Sequence, residues 1–169
     1  IKVTDLLYVC HAHIKYSIGV DDMFEKIKER YREIYKGCGL TQDLESEFDK
    51  IAANLTKKAS VDYIVSRGEY LNAKLMAEYL GYTFVDSADW LIFGFNGKVD
   101  IDKSYKNLSA IIENNPRVVV PGFYGATPDG NIKTFSRGGS DITGAIAAAA
   151  INADMYENWT DVSGIMTAD

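Results

Sequence analysis

The spacing of apolar residues changes character at Gly81, and that change limits the folds open to this chain. Up to Leu80 apolar residues recur at helical intervals; beyond Gly81 short β-prone runs alternate with helical ones. Thr4-Asp5 suits an N-cap, with Leu6, Leu7, Val9, Cys10 and Ile14 forming the apolar face that follows. A second helix is predicted from Asp21 to about Lys36, stopped by Gly37 and Gly39. Thr41 suits the cap of a third, with Leu44, Phe48, Ile51 and Leu55 on one face. A fourth runs from Ser60 toward Leu80, carrying Val61, Ile64, Val65, Leu71, Leu75, Met76 and Tyr79. Past it, Tyr82–Val85, Trp90–Phe93 and Met155–Trp159 read as strands, and Asp102–Asn114 as a helix. Arg117–Val120 is apolar after its leading Arg, the pattern of a strand buried on both faces between helices. Asn131–Phe135 suits a hairpin with Pro121–Gly125, and Ser140 opens an alanine-rich helix to about Asn152. Alternating helix and buried strand predicts an α/β, three-layer αβα domain with a helical N-terminal portion. No linker or repeat interrupts residues 1–169, so one domain is expected.

Composition narrows the partners. With 18 Lys+Arg against 24 Asp+Glu, the net charge is -6. Nucleic acid and anionic membrane surfaces require a basic footprint, so neither is an expected partner. No apolar run reaches the roughly 20 residues of a membrane span. The two cysteines, Cys10 and Cys38, have no metal-ligand spacing and fit a reducing cytoplasm. His11 and His13 are two apart on a helix and do not face each other, so they form no metal pair.

Four segments can carry chemistry. In Arg137-Gly138-Gly139-Ser140-Asp141 the glycines permit close approach of a ligand, and Ser140 suits the cap of the next helix. That helix start offers free N–H groups to an anion, and Arg137 adds a fork for a carboxylate or phosphate. A capped turn with a surface Arg fits equally. Pro121-Gly122-Phe123-Tyr124-Gly125 follows a buried strand, where ligands of open α/β sheets sit. It also reads as a plain turn with Phe123 in the core. Gly68 interrupts a helix at a cost of about 1 kcal/mol, which points to a close approach there. Glu69 can then bind an ammonium group, or it and Arg67 are simply solvated. Trp159-Thr160-Asp161-Val162-Ser163-Gly164 closes the last expected strand and suits either a nucleotide or a strand-end cap.

In their order, these segments resemble the amino-acid kinase superfamily, and within it the aspartate kinases. The resemblance rests on Lys2-Val3-Thr4-Asp5-Leu6-Leu7, Gly68-Glu69, Val120–Gly125, Ser136–Asp141 with Thr143, and Trp159–Asp169. It implies an amino-acid kinase (carbamate kinase-like) fold, incomplete here. It also implies transfer of the ATP γ-phosphoryl group to the side-chain carboxylate of L-aspartate, the first step toward lysine, threonine and methionine. By the same resemblance Arg137 grips the substrate α-carboxylate and Glu69 its ammonium group. Thr4, the Phe123 backbone and Ser140 line the amino-acid site, and Asp141 lies near the transferring group. Thr160, Asp161 and Met166 contact the nucleotide, and Mg²⁺ bridges its phosphates. A cytoplasmic homo-oligomer is implied for the intact protein. The acceptor is already ionised at neutral pH, so positioning and charge neutralisation suffice without a strong general base.

Aspartate kinases also carry a Lys-x-Gly-Gly-Ser loop, whose Lys bridges the phosphates, and a Pro-Arg stretch after Thr-x-Asp. Neither occurs within these 169 residues, and Phe135-Ser136 stands where Leu-Gly is commoner. Two other readings remain open: a superfamily member acting on glutamate, acetylglutamate, carbamate or a nucleotide, and a non-catalytic binding module. The 169-residue segment by itself is expected to form no aspartyl phosphate from ATP and aspartate, measured by trapping the product as its hydroxamate.

Overall fold

The computed structural model describes residues 2–159. Helices α1 (Val3–Lys15), α2 (Asp21–Gly37), α3 (Leu44–Asn54) and α4 (Val61–Leu80) come first. They are followed by β1 (Thr83–Phe84), α5 (Ser87–Trp90), α6 (Ile101–Asn114), β2 (Val118–Val119), β3 (Tyr124–Ala126), β4 (Ile132–Thr134) and α7 (Gly139–Ala150). Local chemistry sets several boundaries. The Ser60 side chain accepts from Tyr63 N at the start of α4, and Gly81 ends that helix in the left-handed region. Asp100 caps α6 through Lys103 N.

Other boundaries fall elsewhere than expected. The N-cap of α1 is Lys2 with no side-chain cap, so Thr4 and Asp5 lie inside the first turn. Helix α3 is capped by Asp43, which accepts from Ser46 N, because Thr41 is engaged elsewhere: its N–H reaches Glu78 Oε1 of α4 at 2.6 Å. Trp90 belongs to a short helix, since Asp86 accepts from Ala88 N and turns Ser87–Trp90 helical. Only Ile92 and Phe93 then bridge, to Ala126 and Val99. Helix α7 starts at Gly139 after Gly138 at φ 61°, so Ser140 lies within the helix rather than capping it. Met155–Trp159 forms no strand; Met155 and Trp159 are strongly exposed, and no described strand pairs with them.

Strands β1 and β2 pair in parallel, Thr83 opposite Val118 and Phe84 opposite Val119, with α5 and α6 in the crossover. Strands β3 and β4 form the expected hairpin, with Tyr124 opposite Thr134. The strands lie between α4 and the α6–α7 pair. Tyr70 of α4 meets Phe84 of β1 edge-on, with ring centres 5.3 Å apart. On the other side Val118 and Val120 line a groove with Leu108, Ile112 and Ala147. Strand β2 is half-buried rather than covered on both faces, because β1 is its single strand partner among the described residues.

Two apolar clusters form. The larger joins α1–α4 through Leu7, Ile27, Phe48, Ile64 and Leu71, and the smaller joins Trp90, Leu91, Phe93, Leu108 and Ile146. Met76 and Tyr79, placed by periodicity on the apolar face of α4, are exposed. Cys10 is buried, and burial pushes its thiol up to about 11, so it stays protonated and serves as a small apolar side chain. No described helix is long and apolar enough to cross a membrane.

Helix α3 is tied to α4 by Glu47, which accepts from Lys50 and Tyr70 and pairs with Lys74 at 2.9 Å. Burial opposes its ionisation, but the hydrogen bonds from Lys50, Lys74 and Tyr70 outweigh it and hold the carboxyl at about 2.

Strand β3 runs so close to Leu91 that a Cβ on Gly125 would lie 2.1 Å from the Leu91 carbonyl oxygen. Gly125→Ala is therefore expected to lower unfolding free energy by about 3 kcal/mol or more, read from urea denaturation.

Candidate amino-acid and phosphate site

Two parts of the structure hold the expected site residues. The first is the crossing of α1 over α4. A Cβ on Gly68 would lie 3.3 Å from Val3 Cγ1 and 3.4 Å from Leu7 Cδ1, which accounts for the glycine within the helix. Tyr31 Oη donates to the Gly68 carbonyl at 2.7 Å and pins α2 to the same place. Thr4 and Glu69 are each the next residue after the contacting pair Val3 and Gly68, so the crossing brings their helices together. Glu69 is half-buried and makes no ion pair among the described residues. Desolvation raises its pKa above the ordinary carboxylate value.

The second part is the start of α7. The Pro121–Phe123 turn is seated on it: a Cβ on Gly122 would lie 2.9 Å from Ser140 Cα, and one on Gly139 would lie 2.9 Å from Phe123 Cα. Side chains at either position would force the two segments apart. Phe123 has φ 77°, rare for a bulky residue, and the turn is held at both ends of that residue. Its N–H donates to Thr143 Oγ1 at 3.2 Å, and its carbonyl accepts from Phe135 N at 2.9 Å. Thr143 Oγ1 in turn donates to the Gly139 carbonyl at 2.7 Å. The Phe123 side chain packs against the α1–α4 cluster and so connects the two parts.

The N-cap of α7 is Gly138, which has no side chain to cap it, so among the described residues the first N–H groups of the helix are offered to an anion. Arg137 immediately precedes that helix start and is exposed, as are Ser140 and Asp141 in the first turn. Asp141 accepts from Asn158 Nδ2 at 3.2 Å. Ser136 is not at positive φ, so the serine before Arg137 sits there without backbone strain. Thr160, Asp161 and Met166 lie outside the described residues.

Sequence reasoning missed the surroundings of Arg67. Far from solvated, Arg67 is 6% exposed, and its guanidinium carbon stands 4.6, 4.7 and 5.3 Å from the ring centres of Tyr63, Tyr70 and Tyr124. Its Nε donates to the Tyr63 carbonyl at 3.2 Å and a terminal nitrogen to Ser66 Oγ at 2.9 Å. A desolvated cation–π contact contributes about 2 kcal/mol, which offsets part of the burial cost. Tyr124 Oη donates to Asp86 Oδ1 at 2.7 Å. A signal was present: Tyr63 and Tyr70 flank Arg67 at helical spacings that bring side chains together.

A model of the amino acid kinase family matches residues 13–169, and the chain belongs to that family. The relatives it resembles are aspartate kinases. It is 35% identical to Aspartokinase 3 of Bacillus subtilis over 99% of this chain and 40% of the relative. With an aspartokinase of Geobacillus stearothermophilus it shares 30% identity, over 90% of this chain and 42% of the relative. The crystal structure of Clostridium acetobutylicum aspartate kinase superposes with a TM-score of 0.93 at 47% identity, covering 100% of this chain and 39% of that one. Escherichia coli aspartokinase III in complex with aspartate and ADP has the same fold, with a TM-score of 0.81 at 22% identity, over 96% of this chain and 41% of that one. The chain thus spans about 40% of the length of these relatives.

The environment of Glu69 has a measurable consequence. Its folded-state pKa lies above the unfolded one, so the folded state binds the extra proton. Stability from this residue is full below the unfolded value, near 4.5, and falls as pH rises through the folded value. Glu69→Gln is expected to raise the thermal midpoint at pH 7, with the difference closing toward pH 4, measured by calorimetry at both pH values.

Proposed function

We propose that this chain is the amino-acid-binding part of an aspartate kinase. The observation that carries the reading is the N-terminus of α7, which starts after Gly138 with no capping side chain among the described residues and is braced by the Phe123 turn, with Arg137 just before it. Such a helix start accepts a carboxylate or a phosphate, and a kinase of a carboxylate acceptor needs both near one another. The similarity to aspartate kinases along the whole chain supports aspartate as the acceptor.

In this reading Arg137 binds the α-carboxylate of L-aspartate and Glu69 its ammonium group. A half-buried carboxylate without an ion pair gains by receiving a cation, because the pair offsets its desolvation. Thr4, Ser140 and the Phe123 backbone complete the amino-acid side, and Asp141 sits toward the transferring group. An oxygen of the side-chain carboxylate bonds to the γ-phosphorus of ATP as the bond to the β–γ bridging oxygen breaks, leaving ADP. Mg²⁺ is assigned to the nucleotide phosphates, whose hard oxygens suit it. Bound there, Mg²⁺ neutralises phosphate charge. Thr160, Asp161 and Met166 are assigned to the nucleotide. The enzyme is assigned to the cytoplasm as a homo-oligomer without nucleic-acid or membrane partners, in keeping with its net charge of -6.

The intact gene product, given ATP, Mg²⁺ and hydroxylamine, is expected to yield a hydroxamate with L-aspartate and not with glutamate or acetylglutamate. Turnover of another acceptor and none of aspartate would contradict the proposal. Arg137→Met is expected to reduce kcat/KM for aspartate by about 10- to 100-fold, the worth of a charge-assisted hydrogen bond.

A further inference from the structure

We propose that Arg67 is a positioning residue that sets the separation between the two sides of the amino-acid site, using Tyr124 as its link. The inference rests on the aspartate kinase reading above. Arg67 cannot shed its charge, and among the described residues no carboxylate forms an ion pair with it. Its compensation comes from ring faces and two oxygen acceptors. Tyr63 and Tyr70 belong to its own helix and flank it there in any case. Tyr124 comes from β3, and its ring is held at both ends, with the Arg67 guanidinium by the ring and Asp86 at the hydroxyl.

The neighbours of this pair give it a role. Two residues beyond Arg67 on α4 is Glu69, and one residue before Tyr124 is Phe123, whose backbone is held at φ 77° against Thr143. The Arg67–Tyr124 contact therefore joins the helix carrying the ammonium-binding carboxylate to the turn carrying the backbone wall. An apolar side chain of similar size would fill the same space without a desolvation cost. What the guanidinium adds is a rigid planar group, tied to α4 by its hydrogen bonds to the Tyr63 carbonyl and Ser66 Oγ and standing 5.3 Å from the Tyr124 ring centre, and so a set distance between α4 and β3. That distance governs whether an acceptor the length of aspartate fits, as opposed to one longer by a methylene.

The test uses the intact gene product with Arg67→Met and Arg67→Lys. Both are expected to raise KM for aspartate about tenfold and leave KM for ATP within about twofold. The preference for aspartate over glutamate, as a ratio of kcat/KM values, is expected to fall by about tenfold. Lysine is not expected to restore it, since a compact ammonium lacks the planar face and the fixed fork of donors that a guanidinium presents among these rings and oxygens. If Arg67→Met fails to fold, Arg67→Lys and Tyr124→Leu carry the same expectation. Lys74→Met serves as the control: Lys74 stands 5.3 Å from the ring centre of the same Tyr70 but does not reach β3 through Tyr124. It is expected to lower the thermal midpoint without changing KM for aspartate. Folded Arg67 variants with unchanged KM and preference would overturn the inference, as would a Lys74→Met variant that raises KM equally. A parent protein that phosphorylates no aspartate removes the underlying reading and this role with it. An active parent with unaffected Arg67 variants removes only the role.

Discussion

The middle of α4 is buried on every side, and the other elements are arranged around it. Ile64, Val65, Ser66, Arg67 and Gly68 are consecutive and all buried. At 3.6 residues per turn, five successive positions go fully around the helix axis, so no direction is left for solvent. Helix α1 closes one side where Gly68 admits it, and β1, β2 and β4 close others. A helix so enclosed must satisfy its polar groups from within. Ser66 Oγ donates to the Tyr63 carbonyl, and Arg67 turns to its own helix and to tyrosine rings. Burial of a charge is tolerated there because ring faces and oxygens surround it.

The candidate site follows from that enclosure. Its two parts are the α1–α4 crossing at Gly68 and the start of α7, and the Phe123 ring reaches from the α7 side into the helical cluster. Two charges of α4 stand in contrast. Arg67 is buried and compensated by rings and oxygens, whereas Glu69 is half-buried, desolvated and without an ion pair among the described residues.

Local signals in the sequence were read where one residue type has one local job. Ser60 as cap, Gly81 as stop, the helices of the first eighty residues and the β3–β4 hairpin are of this kind. At α3 a tertiary partner decides between two capping residues: Glu78 draws the Thr41 N–H, leaving Asp43 to cap the helix. At α1 and α7 the helix begins before the expected caps Thr4 and Ser140, after Lys2 and Gly138, neither of which caps with a side chain. The Trp90–Phe93 run looked like a strand because its apolar content suits a buried strand or a buried helical turn equally, and Asp86 decided for the turn. The motif around Arg137 is legible from Gly138 and Gly139 after it, but the reason for Gly122 and Gly139 is the contact between the Phe123 turn and α7, which neither segment displays alone.

The sequence by itself determined the succession of helices and strands, the segments that mark the amino acid kinase family, and the residue types offered to a substrate. These depend on periodicity, on local hydrogen bonding and on short motifs, all of which act within a few residues. Only the tertiary structure decided that Arg67 is buried, that Tyr124 stands beside it with its hydroxyl on Asp86, and that Glu69 is desolvated. Burial of a charge and the cost of its hydration depend on groups brought together from distant parts of the chain. Helical spacing fixes the direction in which a side chain points along its own axis, and the packing of the strands then determines what it meets there.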